Sequence, residues 1–316
     1  MSPLRRGKAG SVLEIDPCMG DQQAWSLRDA LSAQDWPTAR AVLVAAEHPD
    51  DKAFLLETCG AVPGVQDWIG PLAADDVLAQ LVRGCHAVAW AWQARGRYGA
   101  EHTGRDRFAL FFERLRLAEA YLYNVVVRTP DDVTAWAFLV RTARGLQLPL
   151  EDGEFRFAQA IERHPTSLKA HAEWMQTLCN KWSGSHEWMH QFARDGAVRG
   201  GDGSMLHALV ALAHLEVMID LKGEKRTQYM AREDVRTDLL TAAGLSIWHP
   251  AAEFRPGWPL YLNTFALAFS QSGDLPSAAK VFERLGDNPT EFPWGYLGGD
   301  EISSFTKART TALAAR

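Results

Sequence analysis

An all-α fold is the class this sequence predicts, and three observations carry the prediction. Apolar residues recur at the helical period through most of the chain. No run of alternating β-branched residues is long enough to make a strand. Segments of similar sequence also return at a fixed spacing, the mark of helix pairs stacked in an array. The expected architecture is antiparallel helix pairs, stacked in a solenoid or an irregular superhelix.

In AWSLRDALSA, Trp25, Leu27, Ala30 and Leu31 recur at helical spacing. TARAVLVAAE makes a second helix after Asp35-Trp36-Pro37, where proline suits a first turn. FALFFERLRLAEAYLYNVV is a long amphipathic helix with a stripe of Phe108, Phe111, Phe112, Leu115, Ala118, Leu122 and Val126, ending before Thr129-Pro130. RTPDDVTAWAFLV and RHPTSLKAHAEWM superimpose on a shift of 35 residues, which lays Arg128 on Arg163, Pro130 on Pro165, Ala135 on Ala170 and Ala137 on Ala172. The same shift carries Trp136 to His171 and then to Leu206 in GSMLHALVALAHL. NTFALAFSQSGDLPSAAKVFERLGDNP is the clearest copy. Phe265, Ala266 and Phe269 belong to its first helix, Gly273-Asp274 to its turn, and Ala278, Phe282 and Leu285 to its second.

That last stretch resembles a tetratricopeptide repeat in the offsets of Ala266, Phe269, Ala278 and Phe282. Small residues there let paired helices approach, and aromatics fill the groove between pairs. It departs from the pattern where Leu262 replaces the early tryptophan. The expected organisation is a flexible segment over 1–20, a helical-repeat domain over 21–300 and a tail over 301–316. A weak boundary is expected in the charged stretch 221–234, read as a solvated connection. EHTGRDR and VRGGDGS read as irregular, the second as a flexible loop, and WHPAAEFRPGWPL breaks helix at Pro250, Pro256 and Pro259.

Composition bounds the partners. Among 316 residues, 47% are hydrophobic and 23% charged, and the net charge is -6. That balance argues against nucleic acid or an anionic membrane as the main partner. No apolar stretch is long enough to span a membrane. The N-terminus lacks the hydrophobic run and cleavage site of a secretory signal. The four cysteines, Cys18, Cys59, Cys85 and Cys179, are far apart and read as free thiols. The expected setting is the cytoplasm.

Two constellations could carry function. His186-Glu187-Trp188-Met189-His190 fits H-E-x-x-H, which sets two zinc-binding imidazoles one turn apart beside a general base. On that reading Glu187 is the base and Glu216 or His214 completes a hydrolytic zinc site. The competing reading is an ordinary helix start, with Ser185 as N-cap, Glu187 against the helix dipole, and Trp188, Met189 and Phe192 buried. The second constellation is the concave face of a repeat array. Its expected groove residues are Trp136, Arg141, His171, Trp174, His207 and His214, which would meet a protein or peptide.

The stretch AHAEWMQTLCNKWSGSHEWMHQFAR resembles a bacterial family of unknown function, domain-of-unknown-function family number 4034. The matching positions are Lys181, Trp182, Gly184, Ser185, Met189, Phe192 and Ala193. The resemblance implies a tetratricopeptide-like helical fold and supplies no catalytic residue. The favoured expectation is therefore a binding module without a cofactor, the alternative a zinc-dependent hydrolase. The sequence leaves the oligomeric state open.

Overall fold

The computed structural model describes residues 13–96 and 104–315. Most of the N-terminal segment over 1–20 and the first three residues of EHTGRDR lie outside the described residues. The chain is all-α, with no strand among the described residues. It divides into two compact units, Asp21–Gly200 and a second made of Met1–Gly20 with Gly201–Arg316.

The Asp21–Gly200 unit runs through α1 (Gln22–Ser32), α2 (Trp36–Ala45), α3 (Pro49–Gly60), α4 (Val65–Trp68), α5 (Val77–Arg95) and α6 (Arg105–Arg128). It continues with α7 (Val133–Leu146), α8 (Leu150–Arg163), α9 (Leu168–Thr177) and α10 (His186–Gly200). Side-chain caps start many of these helices. Asp21, Asp35, Asp76, Asp132 and Ser167 each accept a backbone N–H of the first turn, satisfying a donor the helix leaves orphaned. The stripe expected on α6 faces inward at Phe111, Leu115, Ala118, Leu122 and Val126, joined by Val125, while Phe108 and Phe112 are half-buried. α6 packs along α5, and Gly84 makes the approach possible, since a Cβ there would lie 2.7 Å from Leu122. α3 is the central helix, packing against α1, α5, α7 and α9.

The second unit contains α11 (Ala208–Asp220), α12 (Glu224–Met230), α13 (Glu233–Gly244), α14 (Trp258–Ser272), α15 (Leu275–Leu285), α16 (Glu291–Trp294) and α17 (Glu301–Ala314). α14 and α15 are the helix pair expected from the clearest repeat. Phe265, Ala266, Phe269, Ala278, Phe282 and Leu285 are all buried, Gly273 turns with φ +77° and Asp274 caps α15.

Four expectations need correction. The chain divides at Gly200–Gly201, not within 221–234, where α12 forms and buries Met230. The loop expected to be flexible is packed: Gly203 has φ +86°, its N–H donates to the Leu245 carbonyl at 2.8 Å, and a Cβ would meet Ala251 O at 2.7 Å. Pro259 starts a helix instead of breaking one, because the first turn of α14 needs no proline N–H. The expected tail over 301–316 forms α17. Phe305, fully buried, meets Phe282 and Trp294 edge-on at 5.4 and 5.5 Å.

That aromatic cluster is anchored by Asn263. Its Oδ1 accepts the Trp294 indole N–H at 2.7 Å, and its Nδ2 donates to the carbonyls of Pro259 and Asn288 at 2.8 and 2.9 Å. If α17 is a working part of this core, Phe305→Ala will lower the unfolding free energy in urea by about 3–5 kcal/mol. A dispensable tail would leave it unchanged.

Candidate functional site

The densest chemistry in the Asp21–Gly200 unit lies where α3, α7 and α9 meet. The i, i+4 spacing of Lys169 and Glu173 puts both on one face of α9, and Lys169 Nζ donates to Glu173 Oε1 at 2.6 Å. Arg144, on α7, grips Glu173 twice, through Nη2 to Oε2 and through Nη1 to the Glu173 carbonyl, each at 2.7 Å. Arg141, one turn earlier, donates to Glu57 Oε1 and Oε2 at 3.0 and 3.3 Å. Glu57 comes from α3 and also accepts from Lys169. The Arg144 and Glu173 side chains are only 8% and 10% exposed, so these charges have exchanged most of their water for one another.

The exchange is electrostatically matched. Burial pushes the Glu173 carboxyl up, but Lys169, Arg144 and Arg141 outweigh it and hold the group well below the usual carboxylate range. Glu57 is lowered in the same way, against burial, by Lys169 and Arg141. Burial opposes the charge on Lys169 and Arg141 too, yet both are raised, because Glu57 and Glu173 stand beside them. Three cations face two carboxylates, which leaves the cluster one positive charge in excess.

Two tryptophans lie against that excess. Trp92 on α5 and Trp182 in the α9–α10 connection meet edge-on at 5.9 Å. The Arg141 and Arg144 guanidinium carbons lie 5.5 and 5.8 Å from the Trp92 ring, and Arg144 is also 5.8 Å from Trp182. Arg95, at the end of α5, reaches both rings at 5.4 and 5.6 Å. Among the described residues Arg95 meets no carboxylate, and burial alone lowers it. The buried Trp92 Nε1 and Arg144 Nε have no acceptor among the described residues. The cluster thus carries surplus positive charge beside two aromatic rings, together with two buried N–H donors that have no acceptor among the described residues. Guanidinium groups of this kind pair with carboxylates and other anions.

The motif of the α9–α10 connection holds Trp182 in place. A Cβ on Gly184 would collide with the Leu178 carbonyl, so the connection closes only with glycine. Ser185 Oγ accepts the Trp188 N–H at 3.1 Å, the cap expected for α10. The buried face of α10 is Met189, Ala193, Gly196 and Ala197; Trp188, expected inside, is 54% exposed. His186 and His190 are half-buried and Glu187 is exposed. Among the described residues, the one convergence of three His, Cys, Asp or Glu ligand atoms is elsewhere, at His48, Asp50 and His164. It includes none of His186, His190 and Glu216. Glu216 is buried in α11 and accepts from Tyr296 Oη.

Of the six expected groove residues, Arg141 alone joins the charged cluster; the other five are buried in helix packing. Trp136 donates its indole N–H to the Pro130 carbonyl at 2.9 Å, and Trp174 stacks on Phe157 at 5.8 Å. His171 lies against Phe157 and Phe192, with Nδ1 2.7 Å from the Ser167 carbonyl. His207 and His214 belong to the second unit. His207 Nε2 lies 3.1 Å from the Gly201 carbonyl, and His214 lies between Tyr229 Oη at 2.7 Å and Asp238 at 3.2 Å. Nor do Cys85 and His86 form a nucleophile–base pair: His86 bonds Gln66 at 2.8 Å, and burial pushes the Cys85 thiol up.

Comparison of the chain with protein-family models and with curated proteins finds no match.

Two outcomes follow from the electrostatics. Glu173→Gln leaves Lys169 and Arg144 short of a buried partner, and will cost about 3 kcal/mol in a urea titration. Burial holds the His171 imidazole down at about 4, against an ordinary 6.5. The unfolded chain therefore takes up a proton that the native chain refuses, and stability present above pH 6.5 is lost as pH falls toward 4. In His171→Phe the slope of unfolding free energy across that window will be shallower, measured by denaturation at a series of pH values.

Proposed function

We propose that the chain is a binding module of tetratricopeptide-like helix pairs that holds an acidic segment of a protein partner and performs no catalysis. The observation that carries this reading is the cluster of Arg95, Arg141 and Arg144 around Trp92 and Trp182. An acidic side chain or a chain terminus neutralises the surplus charge of the arginines. Arginine and tryptophan are also the residues that most often dominate interface energies. The resemblance of Lys181, Trp182, Gly184 and Ser185 to a family signature supports the reading, since Trp182 lies against Arg95 and Arg144 and Gly184 permits its connection. All four cysteines are buried free thiols, which suits the reducing cytoplasm. No observation favours a hydrolase built on His186, Glu187 and His190.

The test is fluorescence anisotropy with a labelled glutamate-rich peptide, set against the same peptide with glutamine in place of glutamate. The acidic peptide will bind, and binding will weaken as salt rises. Arg95→Ala and Trp182→Ala will each weaken it about tenfold or more, whereas His186→Ala with His190→Ala will not. Equal binding of the two peptides, or indifference to Arg95→Ala, would reject the reading.

A further inference from the structure

At the opposite end of α3 from Glu57, three metal-ligating side chains converge. His48 is the N-cap residue of α3, Pro49 occupies the first turn and Asp50 follows it. His164 is the C-cap residue of α8. One ligand atom from each of His48, Asp50 and His164 lies within 4.8 Å of the others, and all three residues are half-buried. The two imidazoles meet edge to face, with ring centroids 5.1 Å apart and planes at 89°.

We propose that His48, Asp50 and His164 form a binding site for a divalent transition metal of the zinc class. Two imidazoles and one carboxylate are a borderline donor set that favours zinc, cobalt or nickel over magnesium or calcium, which demand oxygen. Zinc bonds of about 2.0–2.1 Å place tetrahedral donors about 3.4 Å apart. The carboxylate is already oriented from outside the triad: Asp50 Oδ1 lies 3.5 Å from Ser167 Oγ and 3.3 Å from the Lys169 N–H, so Oδ2 is left for the metal. His164 sits at the end of α8, where the helix dipole favours positive charge, and Asp50 and Asp51 offset the opposite dipole of α3.

His48 adds a tautomer requirement. Its Nδ1 accepts the Asp50 N–H at 3.2 Å, so the neutral ring carries its hydrogen on Nε2. Ligation through Nε2 moves that hydrogen to Nδ1 and releases the Asp50 N–H. Metal binding therefore exchanges the cap of α3 for a bond that joins α3 to the α8–α9 turn. The protein supplies three ligands, and water completes the shell.

The experiment uses the full chain, freed of any tag and stripped with chelator, then titrated with Zn2+ by calorimetry and with Co2+ by visible absorption. One Zn2+ per chain is expected, with a tetrahedral Co2+ band and a thermal midpoint that rises with metal. His48→Ala and His164→Ala will each weaken binding about 100-fold, and Asp50→Asn about tenfold or more. His186→Ala with His190→Ala will bind as the parent does. His164→Gln, which keeps a polar side chain of similar size, replaces His164→Ala should the latter lose its helical circular dichroism. Absence of binding, binding that survives loss of both His48 and His164, or binding lost with His186 and His190 instead would each overturn the proposal.

Discussion

The fold of the Asp21–Gly200 unit depends on one constraint: Arg141, Arg144 and Lys169 keep their charge out of water only while Glu57 and Glu173 stand beside them. Two of the carboxylate partners' three cations come from α7 and the third from α9, and Glu57 arrives from α3. No two of these helices can part without stranding a charge. Breaking such a pair costs more than forming it gains, because the group left behind has already lost its hydration. The network therefore acts mainly as a register device. It fixes where α3 lies along α7 and α9, and apolar packing does the rest.

The tryptophans follow from that constraint. With three cations over two carboxylates one positive charge stays uncompensated, and the rings of Trp92 and Trp182 lie beside it. Their position at the cluster therefore has an electrostatic cause as well as a packing one. In the second unit the corresponding anchor is neutral. Asn263 uses both ends of its amide to tie α14 to Trp294 and to the Asn288 carbonyl. A buried amide with satisfied partners orders a core without any desolvated charge.

Much of the fold was legible where the relevant contacts are local. The pair α1–α2, the stripe of α6 and the hairpin α14–α15 are set by spacing within a few turns, and periodicity reads that directly. The site was not. Glu57 is 84 residues from Arg141 and 112 from Lys169, and no pattern in the chain announces either pairing. Lys169-x-x-x-Glu173 was visible as a helical pair, but surface helices carry many such pairs. α17 was missed because EISSFTKARTTALA buries little beyond Phe305 and Ala312, too sparse a stripe for periodicity to detect. Trp188 erred the other way. Size and hydrophobicity placed it inside, while the turn set by Gly184 and Ser185 aims α10 with Met189 inward.

α3 contributes Glu57 to the charged cluster and His48 and Asp50 to the histidine–aspartate triad. α3 is short: from His48 to Glu57 the rise is about 14 Å. A rigid element of that length cannot shift at one end and stay fixed at the other. Whatever seats the start of α3 against the α8–α9 turn also seats Glu57 against Arg141 and Lys169, and so sets how far Arg141 leans over Trp92. An acidic ligand that drew Arg141 away from Glu57 would loosen the same helix. Coupling between the two sites then needs no chain of intermediates. It needs one helix with a contact at each end, and its sign is fixed by which contact each ligand strengthens.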